Sequence, residues 1–147
     1  MKYEVEVTKY STIWRNPETK EFHRLDGPAL ELSDGTKYWY VEGKRHRLDG
    51  PAIEFSNGTK YWYVEGKLHR TNGPAIELSD GDKFWYVEGK HHRLDGPAIE
   101  YSNGSKLWFV EGMEYSETDF NNLFTKPKVK PYSGKVVIVD GIEYTLS

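Results

Sequence analysis

The chain has no cysteine and only two methionines among its 147 residues. The missing cysteine excludes disulfide bonds and thiolate metal sites, and it is compatible with a reducing environment such as the cytosol. The segment after Met1 has no apolar core of the kind found in signal peptides, and no run is long and apolar enough to span a bilayer. We therefore expect a soluble, cytoplasmic protein.

The sequence also lacks a large excess of charge of either sign. The sequence has 20 basic and 23 acidic residues, a formal net charge of -3, which argues against a general binder of nucleic acid or membrane surfaces. Hydrophobic residues make up only 37%, yet aromatic residues make up 15%, with five Trp and eleven Tyr. These rings have an apolar body, and Trp and Tyr also have a polar tip, so they suit a thin sheet whose faces are half wet.

The chain does contain a repeat. The motif His-Arg-x-Asp/Asn-Gly-Pro-Ala occurs four times, and each copy lies 23 residues after the previous one. A fixed period of this size indicates a repeat array. The copies span residues 23–29, 46–52, 69–75 and 92–98.

Each repeat also contains an Asn-Gly or Asp-Gly pair between two alternating runs. In the second repeat this pair is Asn57-Gly58, and it predicts a two-residue type I′ turn, in which both central residues need a positive φ. Glu65-Gly66 offers a second reversal. Each repeat is therefore predicted to be one β-hairpin plus a connector, and consecutive hairpins should add to one antiparallel sheet.

A two-residue turn would also determine which side chains share a face. It would place Ile53 opposite Trp62, and aliphatic residues and Trp would form the core face. The other face would be a ladder of tyrosines with small and acidic neighbours. In the second repeat the core face would consist of Ile53, Phe55, Trp62 and Val64, and the other face of Ala52, Glu54, Ser56, Tyr61 and Tyr63.

The two ends of the chain depart from the repeat and resemble caps, which a repeat array needs to close its terminal units. Ser116 begins a capping-box-like sequence that is followed by Phe120, Leu123 and Phe124, and this pattern predicts a short helix. The predicted divisions are an N-terminal cap strand and degenerate repeat in 1–22, four hairpin repeats in 23–113, a capping helix in 114–126, and a linker with a terminal hairpin in 127–147.

The predicted fold class is mainly β. We expect an elongated single antiparallel sheet of stacked 23-residue β-hairpin repeats, with a short C-terminal helix and a terminal hairpin as caps. The last strand, residues 143–146, would be an open edge through which a homo-oligomer could form.

An aromatic strand followed by Gly-Lys and then His, at a 23-residue period, resembles the MORN repeat. The resemblance covers roughly residues 14–113 and includes Tyr40, Gly43-Lys44 and His46. It departs from the family where Arg-x-Asp/Asn-Gly-Pro follows the His in place of Gly-x-Gly. The chain looks like a MORN-like variant of the bacterial and bacteriophage type, and the host cytoplasm is its expected location if it is phage-encoded. The resemblance implies stacked β-hairpins, scaffolding, protein contacts and sometimes phospholipid binding, with few enzymes among its members.

The spacing of the repeat argues against chemistry at its His and Arg residues. Equivalent residues two strands apart are separated by about 9–10 Å, whereas metal ligands must converge on bonds of about 2 Å. An active site gathers single residues in unlike roles, but every candidate here has near-copies in similar surroundings. We therefore expect no enzyme, no catalytic residue, no metal site and no cofactor. A structural interpretation pairs Arg47 with Asp49 or with a nearby acidic residue such as Glu65.

The functional interpretation uses the repetition. A cationic stripe of arginines beside the tyrosine ladder would grip carboxylates or phosphates and pack on peptide side chains or bases. The leading hypothesis is a non-enzymatic repeat scaffold that binds a protein partner. The alternative is a phage-type counter-defence protein that sequesters an anionic nucleotide-like ligand or blocks a nucleic-acid-binding host protein. Direct nucleic-acid and membrane binding are not expected. The predicted binding residues are Arg24, Arg47, Arg70, Arg93, Tyr40, Tyr63 and Tyr86.

Overall fold

The computed structural model describes residues 2–125 and, further on, the backbone of two strands. It is mainly β, and each 23-residue unit adds strands to one long antiparallel sheet of eleven strands. The predicted fold class is confirmed. In chain order the strands are β1 (Glu4–Val7), β2 (Ser11–Arg15), β3 (Leu30–Leu32), β4 (Lys37–Tyr38), β5 (Tyr40–Val41), β6 (Lys44–Arg45), β7 (Ile53–Glu54), β8 (Lys60–Tyr61), β9 (Tyr63–Val64), β10 (Lys67–Leu68), β11 (Ile76–Glu77), β12 (Lys83–Phe84), β13 (Tyr86–Val87), β14 (Lys90–His91), β15 (Ile99–Glu100), β16 (Lys106–Val110), β17 (Met113–Tyr115), β18 (Val136–Val139) and β19 (Ile142–Thr145).

The long sheet runs in the order β1-β2-β3-β4-β7-β8-β11-β12-β15-β16-β17. Three short ribbons, β5 with β6, β9 with β10 and β13 with β14, continue each repeat beyond its Trp. In the second repeat the Trp62 N–H donates to Ala75 of the next repeat, and the carbonyl of Trp62 accepts the His69 N–H. Trp62 therefore connects the long sheet to the ribbon.

The turn at Asn57-Gly58 is not the predicted type I′ turn. Gly58 N–H donates to the Phe55 carbonyl at 3.0 Å, and Phe55 N–H donates to the Thr59 carbonyl at 2.9 Å. Gly58 has a φ of 90°, whereas Asn57 is not among the residues with positive φ. This is a three-residue loop with Gly in the left-handed region. The Asn57 side chain accepts the Thr59 N–H at 2.9 Å and holds the loop without entering that region itself.

The type I′ geometry lies instead at Glu65-Gly66. These residues have φ values of 50° and 78°, and they connect Val64 to its partner Lys67. A left-handed backbone costs a residue such as Glu about 1–2 kcal/mol. The same pair of positive φ values recurs at Glu42-Gly43, Glu88-Gly89 and Glu111-Gly112.

The longer loop shifts the strand register by one residue. Ile53 pairs with Tyr61, so the predicted pairing of Ile53 with Trp62 is wrong. A one-residue shift moves the side chains of a strand to the opposite face. Phe55 therefore lies with the tyrosines, and its ring meets Tyr61 edge-on with centroids 5.6 Å apart. Glu54 lies on the face that carries Trp62.

Charges alternate across the strands on this Trp-bearing face. Glu54 is paired with Lys60 on one side and with Lys37 on the other. Opposite charges directly across a sheet contribute about 0.2–1 kcal/mol each, and like charges destabilise it. The alternation therefore disfavours a slipped register. In sheet order the charges are Glu31, Lys37, Glu54, Lys60, Glu77, Lys83, Glu100 and Lys106.

The predicted C-terminal helix is confirmed. It consists of α1 (Glu117–Phe120) and a π-helical turn (Asn121–Thr125). Ser116 is the N-cap and accepts the Asp119 N–H at 3.1 Å. Phe120 is the largest fully buried side chain among the described residues, and α1 packs against β16 and β17. The helix thus covers this end of the sheet.

The strands β18 and β19 pair antiparallel with each other, as a terminal hairpin requires. The predicted linker before them, residues 140–141 between them and Leu146 lie outside the described residues.

Candidate functional site

Three grooves lie along the Trp-bearing face. We use the term connector for residues 23–28, 46–51, 69–74 and 92–97, and each groove lies between two consecutive connectors. Grooves 1, 2 and 3 have volumes of about 590, 760 and 630 Å³. Each is lined by one Trp and one Val from the intervening strands, in order Trp39 and Val41, Trp62 and Val64, and Trp85 and Val87.

The guanidinium of each connector arginine lies over a Trp ring. The guanidinium carbon of Arg47 is 4.0 Å from the Trp39 ring centroid. Its Nε donates to Asp49 at 2.8 Å, and its Nη1 donates to the Pro51 carbonyl at 3.1 Å and to Glu54 at 2.9 Å. The predicted Arg47–Asp49 pair is confirmed. Arg24, Arg70 and Arg93 repeat the stacking, at 3.9–4.0 Å.

These contacts determine which charges face the solvent. The Arg47 side chain is 22% exposed, whereas the Asp49 side chain is 85% exposed. The hydrogen bond from Arg47 also lowers the pKa of Asp49, and the same cause lowers the pKa of Asp26 and Asp95. The arginines do form a row, but carboxylates are the more accessible charges at its rim.

The connector glycine has no Cβ and so leaves room for the arginine side chain. A Cβ built on Gly50 would lie 2.9 Å from the guanidinium carbon of Arg47. Because that guanidinium is stacked and hydrogen-bonded, it has little freedom to move away. This close approach was not predicted from the sequence. The short Arg-x-x-Gly spacing within every connector is the signal that was available.

The connector histidine caps the next type I′ turn. His46 Nδ1 accepts the Glu65 N–H at 3.1 Å, and the Glu65 carboxylate lies 3.2 Å from the same nitrogen. Glu65 is therefore a partner of His46 and not of Arg47, for which Glu54 is the second carboxylate. The same acceptor role is played by His23, His69 and His92. Within the described part of the chain, no three His, Asp or Glu residues cluster as metal ligands.

The predicted tyrosines lie on the opposite face. Tyr63 stacks on Tyr61 with centroids 6.5 Å apart, and none of the three grooves is lined by Tyr. Arg45 donates to the Tyr40 hydroxyl at 3.3 Å and lies 5.3 Å from the Tyr63 ring, so it connects two repeats. The sheet thus separates the predicted arginines from the predicted tyrosines.

The residue before the connector histidine packs on the tyrosine ladder in three of the four repeats. In the last repeat it is His91, whose ring is 4.0 Å from Tyr86 and 5.1 Å from Phe109. His91 Nε2 and the Tyr86 hydroxyl are 2.8 Å apart. Burial lowers the pKa of His91 and raises the pKa of Tyr86. No residue type recurs at this position of the repeat, so its role was not predicted.

Comparisons with family models, with curated proteins and with solved structures find no match to this chain. Among the described residues, no helix has the length and apolar character needed to cross a membrane.

Proposed function

We propose that the protein is a non-enzymatic repeat scaffold that binds a protein partner along its three grooves. The observation that carries this proposal is the recurrence of an open groove with a Trp and a Val in its lining and a connector on each side. The 23-residue hairpin unit, in which the Gly of Gly-Lys completes a type I′ turn, supports a MORN-like classification as part of the same proposal.

Exposed apolar side chains at the connector tips support a protein partner. Leu48 is 80% exposed, and Leu25 and Leu94 are 61% and 53% exposed. Each belongs to the lining of one or two grooves. Together with the Trp in each groove they form a repeated apolar surface with a polar rim, which is the composition of a protein-binding site.

The same geometry argues against an anionic ligand as the main occupant. The Arg47 Nε and Nη1 groups already donate to carboxylates and a carbonyl inside the protein. A phosphate that approached this arginine would meet the exposed Asp49 carboxylate first. Protein contact through Leu and Trp requires no such exchange.

The experiment compares two surface variants in a pull-down from nuclease-treated lysate of the source organism, followed by titration with the purified partner. Leu48→Ser combined with Leu94→Ser removes apolar area from all three grooves. Val7→Ser is the matched control, because Val7 is 73% exposed but lies on β1, away from the grooves.

We expect the double variant to weaken binding at least about tenfold, as loss of two buried apolar contacts would, and the control to bind like the parent chain. Equal binding by all three proteins would contradict the proposal. A thermal shift with a panel of nucleotides, reversed by Arg47→Met, would favour the anionic-ligand alternative.

A further inference from the structure

The first connector has no connector before it, and the N-terminal segment takes that place. Tyr3 reaches from just before β1 to the connector at residues 23–28. Its hydroxyl accepts the Leu25 N–H at 3.1 Å, and its ring centroid is 6.2 Å from that of His23. A tyrosine of the chain itself therefore occupies the position where a groove would otherwise begin.

The other connectors are open at the equivalent place. His23 is buried, with 3% of its surface exposed, whereas the side chains of His46 and His69 are 19% and 23% exposed. The residues equivalent to Leu25 are Leu48, Thr71 and Leu94. Within residues 2–125 their N–H groups donate no backbone hydrogen bond.

The four connectors share the geometry that Tyr3 uses. Each histidine is held by the N–H of the following type I′ turn, at 3.0–3.1 Å. Each arginine is held on its Trp, at 3.9–4.0 Å. At the first connector the Tyr3 ring lies beside the histidine, and its hydroxyl accepts a backbone N–H. The next three connectors therefore offer a tyrosine the same place for its ring and an equivalent N–H.

We infer that each open groove takes a tyrosine side chain from an extended segment of the partner, with its ring beside the histidine and its hydroxyl accepting the connector N–H. This inference rests on the proposed function and adds the chemistry of the partner. Volumes of about 590–760 Å³ leave room for a phenol ring and the backbone that carries it.

The spacing of the grooves limits the conformation of such a segment. Two strands per repeat separate the grooves by about 9–10 Å. A polyproline II helix rises about 3.1 Å per residue with three residues per turn, so residues i, i+3 and i+6 recur on one side about every 9 Å. A β-strand would place i and i+3 on opposite sides. The fitting sequence is therefore Tyr-x-x-Tyr-x-x-Tyr in the polyproline II conformation.

The first test follows backbone amide signals by NMR during titration with p-cresol, the side-chain analogue of tyrosine. We expect saturable shifts at Leu48, Thr71 and Leu94 and little change at Leu25, whose acceptor is already in place. Toluene, which has the ring without the hydroxyl, should leave these amides nearly unchanged. Equal shifts with toluene, or no saturable shift with p-cresol, would overturn the inference.

The variant Tyr3→Ala supplies an internal check, because it opens the first connector. In this variant Leu25 should respond to p-cresol as Leu48 does, whereas in Tyr3→Phe the ring remains and Leu25 should respond weakly. If Leu25 stays unresponsive in Tyr3→Ala while the protein remains folded by its amide spectrum, the equivalence of the connectors is refuted.

The second test uses the peptide Tyr-Pro-Pro-Tyr-Pro-Pro-Tyr in calorimetric titration. We expect it to bind about 100-fold more tightly than a peptide with one tyrosine, and more tightly than a peptide with four-residue spacing. Equal affinity for both spacings would refute the polyproline II match. If p-cresol and both peptides fail while Leu48→Ser with Leu94→Ser still abolishes capture of a partner, the proposed function stands and only the tyrosine chemistry is wrong.

Discussion

At the scale of single residues, the connector arginine links several parts of a repeat. Arg47 stacks on Trp39, binds Asp49 beside it in the chain, and reaches Glu54 on the following strand. Lysine cannot make this set of contacts, because its ammonium is a point charge without a planar fork. The arginine is therefore a structural residue in the first place, and its contribution to binding is to hold the groove wall in place.

We expect Arg47→Lys to lower the free energy of unfolding by about 2 kcal/mol, the sum of a lost stacking contact and a weakened charged hydrogen bond. Urea denaturation measures the change. Lys2→Ala is the control, because Lys2 is exposed before the first strand and should change stability by less than about 0.5 kcal/mol. An unchanged midpoint in Arg47→Lys would show that the stack contributes little.

His91 predicts a dependence of stability on pH. Burial lowers its pKa in the folded state from the ordinary value of 6.5. Between the folded and unfolded pKa values only the unfolded chain binds the proton, so stability falls as the pH drops below 6.5 and is unaffected by this group above it. His91→Leu, which matches Leu68 one repeat earlier, should remove part of the decrease measured between pH 7.5 and pH 5.5. A variant with the same loss as the parent chain would contradict this account.

At the scale of elements, two different turns alternate along the array. The Asn57-Gly58 loop requires positive φ only at its glycine, whereas the Glu65-Gly66 turn requires it at both residues. His46 supplies the acceptor that supports the strained Glu65 N–H. A histidine from one repeat thus stabilises the strained turn of the next repeat.

Glu65→Asn should raise the free energy of unfolding by about 0.5–1 kcal/mol, because Asn tolerates the left-handed region better than Glu and Asn-Gly favours a type I′ turn. Thermal and urea denaturation measure this gain. Glu18→Asn is the matched control, since it makes the same change in charge at an exposed residue that is not among those with positive φ. A loss of stability in Glu65→Asn would contradict the assignment of backbone strain to this position.

At the scale of the whole molecule, the contacts between repeats join nearest neighbours. Arg47 N–H donates to Tyr63 of the next unit, and Ser79 N–H donates to Thr59 of the unit before. Tyr3 covers one end of this array and Phe120 the other. Such an array has a stability that is approximately the sum of units and interfaces.

Deletion of residues 47–69 should therefore leave a folded protein. The deletion removes one 23-residue unit and joins His46 to Arg70, which restores the connector motif. We expect a lower free energy of unfolding and a smaller urea m-value, with both caps intact, as measured by denaturation and amide NMR. Deletion of residues 47–58, a partial unit, should leave no folded protein. A folded partial deletion, or an unfolded whole-unit deletion, would refute the nearest-neighbour description.

Much of the fold could be predicted from local patterns in the sequence. The 23-residue period indicates hairpins in one sheet, and Ser116 before Phe120 indicates the capping helix, because such signals depend on residues a few positions apart. The pairing of Arg47 with Asp49 is local in the same way. The register of Ile53 was predicted wrongly because one additional loop residue exchanges the faces of a strand, and Asn-Gly is compatible with both loops.

The sequence by itself determined the repeat, the antiparallel sheet and the pairing of charges that lie close along the chain. Only the tertiary structure decided that arginines and tyrosines face opposite sides, that His46 supports a turn 19 residues away, and that Tyr3 occupies the connector at Leu25, 22 residues away. The physical reason is that the register and the order of the strands decide which face a side chain lies on and which distant residue it contacts. A single additional loop residue can change that register. The residues that lie between two partners in the sequence do not determine that they come into contact.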